Sequence, residues 1–329
     1  RARAPPTTLV AAGGPRESMA ALELSAAFCD VVPVPQDDGP NAVVPILYAD
    51  EYRELMGYFR ACLVSGEHSP RVLALTAAIV EHNAAHYTVW HVRRCCLFAL
   101  RSDGDDSALH DELDYVAGVA AGNPKNYQIW YHRRVVVEHL GAGAAEAELD
   151  FIAAMLEGDS KNYHGWSHRL WVLKQFGCWG RELAYVDELL AEDAFNNSAW
   201  SHRHAVVSAT EPKTDAVAAR EATYALGFAA AAPENESPWS YALAFASKST
   251  EADKLLLEHC EAEVQADRLS RFVAAALVEV YLRRADAQAL GYAASLAAKL
   301  SGELDAPRSR FWANRAARIE DSLRAAQEA

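Results

Sequence analysis

Long apolar runs are what this sequence most clearly lacks. No stretch approaches the roughly 18 uncharged apolar residues that a membrane-spanning helix needs, so none is expected. Cysteine is sparse. The six present (Cys29, Cys62, Cys95, Cys96, Cys178, Cys260) show neither C-x-x-C spacing nor the density of a secreted disulfide framework. Cys95 and Cys96 are adjacent, a poor arrangement for two ligands of one ion, and the expectation is reduced, buried thiols in a cytoplasmic protein. Glycine (17) and proline (13) are few and alternating Val/Ile runs are scarce, whereas Ala, Leu, Glu and Arg abound, which favours helix over sheet. Basic residues are in deficit. Against 45 Asp and Glu stand 31 Lys and Arg, a net charge of −14, which disfavours a general nucleic-acid binder or a membrane-surface protein. The start at Arg1 shows no charged n-region followed by an apolar h-region, so no signal peptide is expected. Walker loops, G-x-G-x-x-G, G-x-S-x-G and H-E-x-x-H are absent, so the chain shows no self-contained catalytic centre.

What is present is a repeat. Aligned on tryptophan, the chain reads NAAHYTVWHVRR, NPKNYQIWYHRR, DSKNYHGWSHRL, DAFNNSAWSHRH, APENESPWSYAL and, more distantly, DAPRSRFWANRA. The anchors Trp90, Trp130, Trp166, Trp200 and Trp239 are separated by 40, 36, 34 and 39 residues, and the gap of 73 to Trp312 makes two units. Asn83, Asn123, Asp159, Asp193 and Asp305 stand seven residues before their tryptophans, and Asn126, Asn162, Asn196 and Asn235 stand four before theirs, where an N-cap belongs. Each unit also opens with an amphipathic run, as in SALHDELDYVAGVAAG with Leu109, Leu113, Val116 and Val119 at helical spacing. The prediction is an all-α protein, an α-α superhelix: a crescent-shaped solenoid of six or seven antiparallel helical hairpins spanning 46–329 as one domain. Residues 1–45 hold seven of the prolines and read as an irregular arm, with at most a short helix in MAALELSAAFC.

A device repeated in five of six units is architecture rather than chemistry. Trp and the Arg three residues on (Arg93, Arg133, Arg169, Arg203, Arg315) share a helix face, and the Arg is expected to stack or to pair with an acid. His132, His168 and His202 belong to different layers, and ligands of one zinc ion must converge, so these histidines are read as structural too. What varies between units is the better guide to function. The loop before each tryptophan helix carries Tyr87 in the first unit, Lys125, Tyr127 and Gln128 in the second, and Tyr163 with His164 in the third. Later units have Asn197 and Ser198, then Glu236 and Ser237. Lys161 offers a second ammonium at the position of Lys125. Aromatic and basic groups at helix N-termini suit an anionic, phosphate-bearing substrate.

The recurring N-Y-x-x-W-x-H-R resembles the signature of protein prenyltransferase α subunits, over about residues 45–245 in register with a weaker tail. NYQIW and NYHGW, with the preceding lysines, resemble the α subunit shared by CaaX farnesyltransferase and type I geranylgeranyltransferase more than the Rab-type chain. The resemblance implies an obligate heterodimer with a β subunit, a barrel holding zinc and most of the lipid pocket, and magnesium for the diphosphate. It implies transfer of a farnesyl or geranylgeranyl group from its diphosphate to the cysteine of C-terminal CaaX motifs. Carried over residue by residue, it implies that Lys125 is catalytic at the diphosphate. Tyr163 and His164 would line the same end, with Tyr127 in support, and Gln128 would bind the peptide carboxylate with Tyr87 nearby. No metal site is implied in this chain. Two departures stand out: His86 where later units have Asn, and Ala242 where they have Arg. A non-catalytic scaffold that binds proteins, or a Rab-type α subunit, is the alternative reading.

Overall fold

The structure, a computed structural model, describes residues 26–102 and 104–328. Helices follow one another along the chain: α1 (Asp50–Ser65), α2 (Pro70–His82), α3 (Tyr87–Leu100), α4 (Ser107–Gly122), α5 (Tyr127–Leu140), α6 (Ala145–Gly158), α7 (Tyr163–Phe176), α8 (Glu182–Glu192), α9 (Asn197–Thr210), α10 (Asp215–Ala231), α11 (Glu236–Ala246), α12 (Thr250–Gln265), α13 (Arg271–Arg284), α14 (Ala287–Lys299) and α15 (Ser309–Glu328). No strand occurs among the described residues, so the all-α expectation holds. Contacts divide the chain into two compact units. One runs to Met155 and includes Asn162–His168; the other takes in Leu156–Lys161 and continues from Arg169. In the first, α2 packs on α3 and α4 on α5; in the second, α8 packs on α9, α10 on α11 and α14 on α15.

The turn before each tryptophan helix is built by its own polar residues. Asn83, Asp159 and Asp193 accept, through Oδ1, the backbone N–H two residues on, a local Asx turn. The following asparagine then caps the helix: Asn126 Oδ1 accepts from Gln128 N (2.9 Å), Asn162 from His164 N (2.9 Å), Asn196 from Ser198 N (3.1 Å) and Asn235 from Ser237 N (3.1 Å). The same amides reach backwards. Asn126 Nδ2 donates to Ala84 O at 2.8 Å, Asn162 to Pro124 O at 3.2 Å, Asn196 to Ser160 O at 3.1 Å and Asn235 to Ala194 O at 2.6 Å. Three of these carbonyls, Ala84 O, Pro124 O and Ala194 O, also accept the indole N–H of their own layer's Trp90, Trp130 and Trp200. One loop carbonyl therefore ties a layer to itself and to the next. His86, in the first layer, makes no side-chain cap, and its Nδ1 is buried without a partner.

Behind the tryptophans, which are all buried at the six repeat positions, runs a ladder of buried ions. Arg93 donates through Nε and Nη2 to Glu112 at 2.7 and 2.6 Å, and His132 Nε2 donates to the same carboxylate at 2.7 Å. Arg133 and His168 share Glu148 at 2.7 and 2.6 Å. Arg169 and His202 share Glu182, each at 2.9 Å or less. In the last rung Arg203 holds Glu221 at 2.8 Å and Tyr241 takes the histidine's place, its hydroxyl donating at 2.6 Å. Each arginine also lies under an aromatic ring three residues after the glutamate: Tyr115 at 4.0 Å, Phe151 at 3.4 Å, Tyr185 at 3.7 Å and Tyr224 at 3.8 Å. Burial alone would raise the carboxylates, but the histidine and arginine hydrogen bonds outweigh it and hold Glu112, Glu148 and Glu182 below the ordinary range. Burial holds His132 below its usual value, and Arg94 Nη1 lies 3.4 Å from its Nδ1, so the ring is neutral with its proton on Nε2.

The arm ahead of α1 has no regular structure from residue 31 to 49, and only the end of MAALELSAAFC, residues 26–29, falls among the described residues. Phe28 is buried against Tyr58, with ring centroids 5.2 Å apart, and under the Arg71 guanidinium. Val34 N donates to Gly57 O at 3.0 Å, and a Cβ on Gly57 would stand 3.0 Å from Pro33 Cβ, so glycine is what lets the arm lie this close. The expectation of uniformly buried thiols needs correction. Cys62, Cys96 and Cys260 are buried, but Cys29 is exposed on the arm and Cys95 and Cys178 are half-buried.

Candidate functional site

Tyr87, Tyr127 and Tyr163 are the first residues of α3, α5 and α7, the last two following the asparagine caps Asn126 and Asn162 and the first following the uncapped His86. Their side chains are 69%, 69% and 71% exposed, which is unusual for three aromatics in register and sets them apart from the buried tryptophans three residues on. His164 lies between two of them. Its ring stands edge-on to Tyr127 at 4.3 Å and to Tyr163 at 5.5 Å, and partial burial lowers its pKa, so it is a neutral ring at physiological pH. Gln128 follows Tyr127 in the first turn of α5, half-buried, with its backbone N–H taken by Asn126. Lys125 sits exposed in the turn two residues before Tyr127.

The structure thus brings Tyr127, Tyr163 and His164 into direct contact. It sets Lys125 and Gln128 beside Tyr127 in sequence, and Tyr87 at the same register one layer earlier. Lys161 is engaged otherwise, its Nζ lying 3.3 Å from Asp193 Oδ2. Two layers later the register has changed character. Glu236 replaces the tyrosine and pairs with Arg308 at 3.2 Å. Phenol hydroxyls, an ammonium and helix N-termini on one set of loops make a donor-rich surface suited to a multiply charged oxyanion.

The donor set does not suit a bound metal. Among the described residues no three His, Cys, Asp or Glu side chains gather as ligands, and His132, His168 and His202 each commit Nε2 to a glutamate in a separate layer. The glutamates are what the sequence reading passed over. Each precedes its His or Tyr partner by 20 residues and is followed three residues later by Tyr or Phe, a pattern visible in ELDY, ELDF, ELAY and EATY.

Fold and site together define an all-α helical-repeat protein with one aromatic, basic edge. The family model for the protein prenyltransferase alpha subunit repeat matches residues 69–100, 109–140, 145–176 and 179–210. The chain is 50% identical over 222 residues to the protein farnesyltransferase/geranylgeranyltransferase type-1 subunit alpha of Pisum sativum, covering 67% of this chain and 65% of that protein. It is 36% identical over 217 residues to the subunit of the same name from Dictyostelium discoideum, covering 65% of this chain and 67% of the relative. Among solved structures, Candida albicans protein geranylgeranyltransferase-I complexed with GGPP is similar with a TM-score of 0.78 and 28% identity, covering 89% of this chain and 98% of that one. The chain therefore belongs to the protein prenyltransferase α-subunit family, and it spans about two thirds of the length of these curated relatives.

Proposed function

We propose that this chain is the α subunit of a heterodimeric protein prenyltransferase acting on C-terminal CaaX cysteines, with farnesyl or geranylgeranyl diphosphate as donor. The observation that carries the reading is the Tyr127–His164–Tyr163 contact at successive helix N-termini, with Lys125 in the adjoining turn. In the transfer, a bond forms between the cysteine sulfur and the first prenyl carbon while the bond from that carbon to the diphosphate oxygen breaks. The pair of electrons leaves with diphosphate, so negative charge grows where Lys125 and the tyrosine hydroxyls donate. His164, neutral and wedged between the rings, holds Tyr127 and Tyr163 in place. Gln128, in the first turn of α5, and Tyr87, at the register of Tyr127 one layer earlier, are assigned to the peptide's terminal carboxylate. Zinc, which would be held by the β subunit, would lower the thiol pKa to supply thiolate, and magnesium would share the diphosphate charge. The location is cytoplasmic.

The test is co-expression with a barrel-type β subunit and single-turnover prenyl transfer. The chain alone should transfer nothing. Lys125→Ala in the heterodimer should slow the chemical step on the order of 10²–10³-fold, the scale of one lost oxyanion donor, with assembly intact. An unchanged rate removes Lys125 from the mechanism. A chain that purifies with many proteins but no zinc-bearing barrel would favour a scaffold, and refusal of short CaaX peptides would favour a Rab-type subunit.

A further inference from the structure

One helix face continues inward from the edge tyrosines. On α3 the residues at helical spacing from Tyr87 are His91, Arg94 and Cys95, and on α5 those from Tyr127 are Tyr131, Arg134 and Val135. His91 and Arg134 are exposed, Tyr131 is 54% exposed and Arg94 is half-buried. This face is continuous with the candidate site.

Two arginines stand at one register of the face, each seven residues after its tyrosine, and their surroundings differ. Arg134 is neutralised within its own helix, its Nε lying 3.1 Å from Glu138 Oε1 one turn on. Arg94 has Phe98 at the corresponding place, and that ring stacks on His139 at 4.0 Å. Among the described residues Arg94 meets no carboxylate. Its Nη1 donates to Nδ1 of the neutral His132 at 3.4 Å, and its guanidinium lies 5.0 Å from the centre of the Tyr131 ring. Later layers carry Leu170, His204 and Leu243 at this register, so the paired arginines belong to the first two layers alone.

A charge half out of water costs free energy until an anion meets it. Burial is the largest influence on Arg94 and lowers its pKa. The chain has 45 Asp and Glu against 31 Lys and Arg, yet sets none of those acids beside this guanidinium. One N–H is committed to His132 and the Tyr131 ring fixes the plane, so the remaining donors of the fork suit a carboxylate from outside the chain.

We propose that Arg94 is an anchor for the β subunit, which sets an aspartate or glutamate against its guanidinium beside Tyr131. The inference rests on the reading of this chain as the α subunit of a heterodimer. Diphosphate is a poor occupant, because seven residues of helix put Arg94 about 10 Å along the axis from the edge where Lys125 and the tyrosines stand. A subunit that completes the active site at that edge continues over this face, and the unmet positive charge selects an acid on it.

The probe is the heterodimer of the full chain with its β subunit, a fluorophore on each, with dissociation on dilution read by energy transfer. Arg94→Ala should raise Kd about tenfold or more, the scale of one charge-assisted hydrogen bond. Arg134→Ala, at the same register but met by Glu138, should raise it less. Arg94→Lys gives a readout independent of affinity. Treated with a carbodiimide, the introduced amine should form an amide, with loss of water, to an Asp or Glu of the β subunit, located by mass spectrometry. A Kd indifferent to Arg94→Ala, or cross-links only to this chain's own acids, overturns the proposal and leaves the α-subunit reading standing. Intact assembly with a raised KM for diphosphate or peptide also overturns it, by placing Arg94 at a substrate. Failure of the wild-type chain to assemble with a β subunit overturns both.

Discussion

His168 donates from Nε2 to Glu148 Oε1 at 2.6 Å, and both side chains are almost wholly buried. Glu148 is held at the same time by Arg133. One carboxylate thus fastens the helix before it and the helix after it, and the repeat propagates through that shared acceptor. An apolar residue at 148 would leave Arg133 charged and unpaired in the core. Glu148→Ala should therefore destabilise by about 3–5 kcal/mol, the cost of breaking a buried pair by removing one partner. Urea denaturation followed by circular dichroism measures it, and a loss under 1 kcal/mol would contradict the ladder's structural role.

Acid should unfold the protein in two stages. His132 is held below its ordinary 6.5 by burial. As pH falls through 6.5 the unfolded chain takes up a proton that the folded chain refuses, and stability drops. Glu112 is held below 4.5, so its contribution is present above that value and is lost as pH falls further. His132→Gln can still donate to Glu112 but does not titrate. It should shrink the upper stage, without abolishing it, because burial lowers His86, His204 and His259 too. Melting temperature against pH, wild type and variant, reads this directly.

The caps offer a test of opposite signs. Asn162 both caps α7 and reaches back to Pro124 O, so Asn162→Ala should cost about 1 kcal/mol for the cap, plus the interlayer bond. His86→Asn installs the missing cap of α3 and removes an unsatisfied ring nitrogen, so it should stabilise by about 1 kcal/mol. Paired chemical denaturation curves decide it.

Arm docking depends on the bare backbone of Gly57. Gly57→Val adds a Cβ at 3.0 Å from Pro33 Cβ and two methyl groups beyond it. The arm should lift, exposing Phe28, and limited proteolysis should cut between residues 28 and 49 faster than in wild type.

Two lysines at equivalent positions should behave differently. Lys161 is paired with Asp193, whereas Lys125 is assigned to the leaving diphosphate. Single-turnover transfer by the heterodimer should fall far more for Lys125→Ala than for Lys161→Ala. Equal losses would make the assignment a matter of net charge alone.

Much of this architecture was legible from residues. The tryptophan register, the asparagine caps and the helix spans follow from spacing, because a cap and an apolar stripe are local requirements that a linear sequence displays. The Tyr87, Tyr127 and Tyr163 positions were legible for the same reason. The glutamates were harder to see: Glu112 reads as one polar residue among several on an amphipathic helix, and its partners lie 19 and 20 residues away on opposite sides. Lys161 was misleading, since its neighbour Asp193 comes from the next loop.

The sequence by itself determined the helical class, the repeat and where each helix starts, since these rest on interactions within a few residues. Tertiary structure alone decided which charges meet. It gave Glu148 to both Arg133 and His168, set His164 against Tyr127 and Tyr163, gave Lys161 to Asp193, and left Arg315 Nε without an acceptor. Pairing between layers depends on how far successive helices rotate and translate in packing, a quantity that no local pattern carries.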